Sequence, residues 1–498
     1  MDRSGSPLPN PSPARGEGLY LGLALLALLA WRFFAAQDAG LNLSIDEAQY
    51  FLWSQAPAWG YFSKPPLIAW TIAAAVGLCG DSESCIRLPA LLLFAASALL
   101  VAAIARRLFD EESALWAGIA FATLILTSFY SLVMTTDAIL LFLWSLALLL
   151  FLRTLDADRW RDWLALAAAV GLGLLAKYTM GLFLVCALAV LWIDHRPRLA
   201  SPKPWIAALL ALAFLIPNLL WNLDHQFATL RHTAEISQLD RQLFNPGSLL
   251  SFVLAQFGIM GPLLFPALLL AAVDRPAWLG DSRQRLLAMF SLPVIGLFVV
   301  LALLARSHAN WAAPAYVAAT LFAVSLLLRR GYRRWLVAAI VLNLLLAATL
   351  YHWHRLAPAV GIELQKGTDP FHPLRGWDKA GAQLAGLLRS SDCRAIIAAE
   401  RATLVQLAYY ARRSLATPVT PLAYNPAGNI RNHFELTADI ARRNFDCAIL
   451  VGEFAPQRLQ KEFAAVETLP PLTVPRADGT GALPAYRVQG FRGYDGGR

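Results

Sequence analysis

The apolar positions of this chain gather into long runs, with little of the alternation of a strand or the stripe of a surface helix. Runs of membrane length or near it begin around Leu19, Leu88, Ala114, Ala138, Trp163, Gly181, Pro204, Leu249, Leu286, Trp311 and Trp335, which predicts about eleven crossings of roughly 20 residues each. With the N-terminus inside, the loops expected inside carry Arg106-Arg107, Arg153 with Arg159 and Arg161, His195-Arg196 with Arg198 and Lys203, Arg275 with Arg283 and Arg285, and Arg329-Arg330 with Arg333-Arg334. That is a consistent positive-inside pattern. Its parity decides two awkward segments. Leu67 to Leu78 would invert every later loop if it spanned, so a re-entrant or interfacial helix on the outer side is expected. Trp163 to Ile193 must be two short helices joined at Lys177-Tyr178-Thr179.

The flanks differ from this body. Residues 1–18 are rich in Pro, Ser and Gly without an apolar period, and read as a disordered cytoplasmic tail. Leu19 to Ala36 reads as a first span, with a cleaved signal peptide as the alternative. Beyond about Arg355 hydropathy drops, and strand-like runs at Ala395–Ala398 and Ala448–Val451 alternate with helix-like stretches, which suggests a small extracytoplasmic α/β domain. The expected division is therefore a tail over 1–18, a membrane domain over 19–355 and an α/β domain over 356–498. Cys393 and Cys447 precede the two apolar strands, so adjacent strands entered at the same edge would bring them together. A bridge and a pair of free buried thiols both remain open.

Composition agrees with the pattern. The 498 residues are 58% hydrophobic and 15% charged with a mean hydropathy of +0.52, which makes this a polytopic membrane protein. The net charge of +9 is carried by the inner loops and the basic C-terminal part. It points to anionic membrane lipid and not to nucleic acid.

Against this background the ionisable residues at the outer mouth stand out, because charge near lipid costs several kcal/mol. Asp46 and Glu47 follow the first span, and Lys64 follows one loop later in Tyr61-Phe62-Ser63-Lys64-Pro65-Pro66. Capping explains one acid better than two, so Asp46 is assigned as a base and Lys64 as a positioned cation for an anion. Asp137 caps its span or joins the site, and Lys177 with Tyr178 forms a turn or part of the site. Trp53, Trp59, Tyr61 and Trp70 suit an interface belt or the stacking of a sugar. Gly171 and Gly173 lie in a span and are read as helix-packing positions. His308, His352 and His354 are read as structural residues.

Asp46-Glu47-Ala48-Gln49-Tyr50, Gly60 to Leu67, Arg87-Leu88-Pro89, Thr136-Asp137-Ala138 and Gly171 to Tyr178 occur in the order seen in family 39 glycosyltransferases. The chain resembles these GT-C membrane enzymes, which are related to protein O-mannosyltransferases and to the lipid A aminoarabinose transferase, over roughly residues 19 to 355. The resemblance implies sugar transfer, with inversion, from a polyprenyl-phosphate donor to an extracytoplasmic glycolipid, polysaccharide or protein at the bacterial inner membrane. Asp46 is then the base, with Asp137 beside it in an acidic cluster, and Lys64 takes the leaving phosphate. Glu47, Trp59, Tyr61 and Tyr178 are the substrate-binding expectation. Aminoarabinose transferases tend to carry arginine where this chain has Gln49 and glutamate where it has Ser63. The first departure transfers the second phosphate cation to Lys177 or Arg231. The second removes the case for an obligatory metal, so no cofactor is expected, although a divalent ion stays compatible with the resemblance. The competing class, a transporter or flippase of lipid-linked substrates, predicts midplane charges and paired inverted halves, whereas these charges lie at one mouth.

Overall fold

The computed structural model describes residues 16–237, 244–476 and 479–495. The tail expected over 1–18 lies outside the described residues up to residue 15, and Glu17 already opens the first helix, Glu17–Asp38. Among the described residues six helices are long and apolar enough to cross a membrane: Glu17–Asp38, Glu83–Leu108, Thr136–Ala157, Pro202–Asp224, Ser282–Leu304 and Arg333–Tyr351. They make this a multi-pass membrane protein.

The other expected runs fold differently. The run from Leu249 is not one straight span but Pro246–Met260 and Leu264–Val273, bent by 113°. Gly261 at φ +109° makes the corner, and a Cβ there would collide with Asn343, so only glycine fits. The runs at Ala114, Trp163, Gly181 and Trp311 give shorter helices, Glu111–Thr123, Trp160–Ala176, Gly181–Asp194 and Ala315–Arg329. Leu67–Cys79 is likewise a 13-residue helix. The joint between Trp160–Ala176 and Gly181–Asp194 falls at Lys177, as the charge parity required. Gly171 and Gly173 serve packing: a Cβ at the first would lie 2.5 Å from Phe214 and at the second 2.6 Å from Met180.

Residues beyond 376 build a five-stranded sheet of order β2-β1-β3-β5-β4, with β1 Ala395–Ala398, β2 Thr420–Ala423, β3 Cys447–Val451, β4 Phe463–Arg476 and β5 Gly479–Phe491. β1 is parallel to β2 and β3, while β5 is antiparallel to β3 and β4. All four residues of β1 are buried, as expected of a parallel strand covered on both faces. Ile396 and Ala398 pack toward helices Trp377–Ser391 and Arg401–Arg412, and Ala395 and Ile397 pack on the other side with Leu459 and Val488. Cys393 and Cys447 enter parallel strands at the same edge and are bridged, as are Cys79 and Cys85.

Helix Arg401–Arg412 docks the sheet unit on the membrane part. Its Tyr409 ring lies edge-on to Phe51 at 5.0 Å. Gln406 donates to the Leu43 carbonyl at 2.7 Å, Tyr410 accepts from the Leu43 amide at 2.6 Å, and Arg412 pairs with Asp81.

Candidate active site

Helix Ile45–Ser54 starts with a capping box. Ser44 accepts from the Glu47 amide at 3.2 Å, and the Glu47 carboxylate accepts from the Ser44 amide at 2.8 Å. This fixes the first turn, sends Glu47 inward and leaves its neighbour Asp46 exposed. Glu47 is fully buried, bonded by Arg87 at 2.9 Å and by the Met134 amide at 2.9 Å. Both its oxygens are engaged, so the expectation that it binds substrate is corrected. It clamps three segments together.

The loop carrying Lys64 is pinned on several sides. The Tyr61 amide donates to the Lys64 carbonyl at 3.1 Å, Thr229 donates to the Tyr61 carbonyl at 2.7 Å, and Trp70 donates to the Ala58 carbonyl at 3.1 Å. The Tyr61 ring is itself buried, stacked on Trp53 at 4.5 Å with its hydroxyl bonded to the Trp53 carbonyl. Tyr61 is therefore the pin of the loop and not a platform for sugar. Trp59 packs edge-on to Trp70 at 4.9 Å, and its carbonyl accepts from Asn218, which in turn accepts from the Tyr178 hydroxyl at 2.6 Å. Trp59 and Tyr178 are thus two ends of one strut, and neither lines the cavity that holds Asp46.

That cavity measures about 250 Å³ and is lined by Asp46, Gln49, Lys64, His232, Arg401 and Arg431 among others. The base and cation expected from the sequence do meet in it. Among the described residues the Lys64 ammonium has no hydrogen-bonding or ion-pair partner. Burial is the main cause that pushes its pKa below the ordinary lysine value, helped by nearby Lys177 and opposed by Asp46 and Asp137. Burial, with Lys64 and Arg401 adding to it, also lowers His232 to about 4, so this imidazole is neutral at pH 7.

Asp137 does not share the Asp46 cavity. It is buried, with one oxygen on Lys177 at 2.7 Å and the other accepting from Asn310 at 2.8 Å. Lys177 is committed to that pair and does not act as the free second cation. Arg231 lines an adjoining cavity of about 400 Å³ that shares Phe62, His232 and Arg431 with the first. The cation at Gln49 comes instead from the sheet unit, where Arg401 bonds Asp46 at 2.9 Å and Gln49 at 3.0 Å. Arg401 and Arg431 were missed because they follow β1 and β2, far along the chain. One local signal was present. Arg401 opens its helix, where the helix dipole disfavours a cation.

No three His, Cys, Asp or Glu side chains gather as a metal site among the described residues. With Ser63 in the loop, the cavity offers one carboxylate, Asp46, already bonded to Arg401. This donor set does not fit a resident divalent ion.

Known proteins bear on this geometry. Residues 63–221 match the family described as dolichyl-phosphate-mannose-protein mannosyltransferase. A lipid A galacturonosyltransferase of Rhizobium johnstonii is 37% identical over 313 residues, 62% of this chain and 65% of the relative. A lipopolysaccharide core galacturonosyltransferase of the same organism is 32% identical over 184 residues, 36% of this chain and 37% of the relative. The chain thus spans just under two thirds of the first relative's length and about a third of the second's. The crystal structure of ArnT from Cupriavidus metallidurans bound to undecaprenyl phosphate superimposes with a TM-score of 0.60 at 18% identity, covering 95% of this chain and 98% of that one. The apo form gives 0.62 at 17% identity, with 94% and 98% covered. The chain has the GT-C glycosyltransferase fold, and the resemblance read from its motifs is borne out.

One pH effect follows from Lys64. A protonated amine holds an anion, so an anionic ligand at Lys64 is expected to bind below the folded-state pKa and to be lost as pH rises through it. Because that pKa is lowered, donor affinity is expected to begin falling below the ordinary lysine value of 10.5. Lys64→Arg is expected to move the fall to higher pH. Titrating the affinity for polyprenyl phosphate against pH checks this, and an identical profile for both forms counts against Lys64 as the phosphate cation.

Proposed function

We propose that this protein transfers a sugar from a polyprenyl-phosphate donor to a glycolipid on the outer, periplasmic side of a bacterial inner membrane, with inversion at the anomeric carbon. The observation that carries this reading is the unpartnered Lys64 ammonium in one cavity with Asp46. A half-buried cation with no hydrogen-bonding or ion-pair partner is costly, and an anionic ligand repays that cost.

In the step itself the acceptor hydroxyl gives its proton to Asp46 while its oxygen attacks the anomeric carbon. The bond from that carbon to the phosphate oxygen breaks, and polyprenyl phosphate departs with one more negative charge, which Lys64 offsets in a site of low dielectric. Asp46 is 56% exposed at its side chain, so its proton returns readily to water. Asp137, paired with Lys177, holds the start of helix Thr136–Ala157 beside the site and acts on Lys64 through its charge.

The finer assignment draws on the relatives. Their names specify galacturonosyl transfer to lipid A and lipopolysaccharide core, and we assign a galacturonosyl-type donor and an acceptor of the lipid A type here. The chain divides in this reading into a transferase body, 19–355, and an outer sheet unit, 356–498. The two disulfides support the outer placement, since such bridges persist in oxidising compartments.

The test is to reconstitute the purified protein with polyprenyl-phosphate galacturonate and lipid A, and to analyse the lipid products by mass spectrometry. A galacturonosylated lipid A is expected. Passage of intact donor across vesicles with no new glycosidic bond would instead favour a flippase and overturn the proposal.

A further inference from the structure

We propose that Arg401 is the specificity-determining residue for the donor sugar, binding the carboxylate of an acidic sugar held between Asp46 and Lys64. This rests on the galacturonosyl-transfer reading given above and assigns the recognition within it.

The geometry leads there by steps. Arg401 sits at the first position of helix Arg401–Arg412, directly after the carboxyl end of β1. A cation at that end of a helix is disfavoured by the dipole, so its place needs an anionic partner. Within the protein that partner is Asp46, and only the Arg401 Nη1 is used, shared between Asp46 and the neutral Gln49. Nε and Nη2 have no partner among the described residues. These two nitrogens present the parallel N–H pair that grips a carboxylate through both oxygens.

Position then separates the candidate anions. The group at Asp46 is the attacking hydroxyl and the group at Lys64 is the leaving phosphate, so the substrate portion between them is the sugar ring. A carboxylate on that ring reaches Arg401 without leaving the Asp46 cavity, which Arg401 itself lines. The adjoining cavity, with Arg231 in its wall, is where we place a phosphate on the acceptor, and the dephosphorylated acceptor tests that division. His232 adds no charge at pH 7, since its pKa is lowered to about 4. Arg431, the other cation of the wall, is bonded to the buried Glu435 at 2.8 Å. Arg431 also keeps nitrogens free, but its side chain is 66% exposed and tied to Glu435, whereas Arg401 is 36% exposed and stands against Asp46 itself, with Nε and Nη2 left for substrate.

Site logic sets the size of the effect. A pocket built to bind a polar group discriminates strongly against the analogue lacking it, because its own polar atoms are then left unpaired. Steady-state transfer is measured for wild type, Arg401→Gln and Arg401→Lys with polyprenyl-phosphate galacturonate and polyprenyl-phosphate galactose, and with lipid A acceptors carrying or lacking their phosphates. Thermal unfolding in detergent checks each variant. Wild type is expected to prefer the acidic donor by about a hundredfold or more in kcat/KM, and Arg401→Gln to lose most of that preference. Arg401→Lys keeps the charge without the fork, and is expected to raise KM for the acidic donor about tenfold with a smaller change in kcat. It keeps the test decisive if the glutamine variant fails to fold.

An unchanged donor preference in either folded variant overturns the assignment, as does a loss that disappears with the dephosphorylated acceptor, which would make Arg401 a reader of the acceptor. Wild type that favours the galactose donor also overturns it while leaving glycosyl transfer intact. Transfer of neither donor refutes the proposed function itself, so the two failures are told apart.

Discussion

Asp46→Asn is expected to slow single-turnover transfer by about a hundredfold or more, the usual worth of a general base. Asparagine keeps the shape and can still accept from Arg401, but it cannot take a proton from the incoming hydroxyl. Lys64→Ala is expected to cost a comparable factor in turnover and to weaken donor binding too, because the phosphate is charged before it leaves. Lys64→Arg recovers part of this loss, as it restores charge with a different shape. Folding and donor loading are checked on the same preparation. Near-normal single-turnover transfer by folded, donor-loaded Asp46→Asn would remove Asp46 as the base.

The second large effect falls on stability. Glu47 and Arg87 are 0% and 6% exposed at their side chains and pair at 2.9 Å. Glu47→Ala strands the Arg87 guanidinium, which also bonds the Leu41 and Asn42 carbonyls. Breaking a buried pair by removing one partner costs about 3–5 kcal/mol, so a large fall in melting temperature and in yield of folded protein is expected. Replacing both residues by apolar ones of similar volume should harm less than either single change. A Glu47→Ala protein that melts normally yet binds substrate poorly would restore Glu47 to the substrate site.

These two residues show what was legible in the sequence. An acidic pair at a membrane helix start pointed to one carboxylate for chemistry, and the capping pattern Ser44-x-x-Glu47 showed which of the two is taken up by the helix start. The Lys64 loop was readable because charge near lipid is rare. The roles of Trp59, Tyr61 and Tyr178 were not, because an aromatic near a site packs against protein or against sugar with the same side chain. The corner at Gly261 was hidden inside an apolar run whose hydropathy does not change there. Arg401 was beyond reach for another reason. Its contact with Asp46 crosses 355 positions, and no local pattern reports which strand end will face which helix start.

That separation has a consequence for the life of the molecule. The nascent chain carries Asp46 and Lys64 early, yet the wall facing them arrives only when the residues around Arg401 and Arg431 have been made and have folded with the Cys393–Cys447 bridge. Until then the acid has no guanidinium to hold it, and the lysine opens onto a half-built hollow. Under the proposed function, activity in a membrane is expected to count finished copies and not synthesised ones.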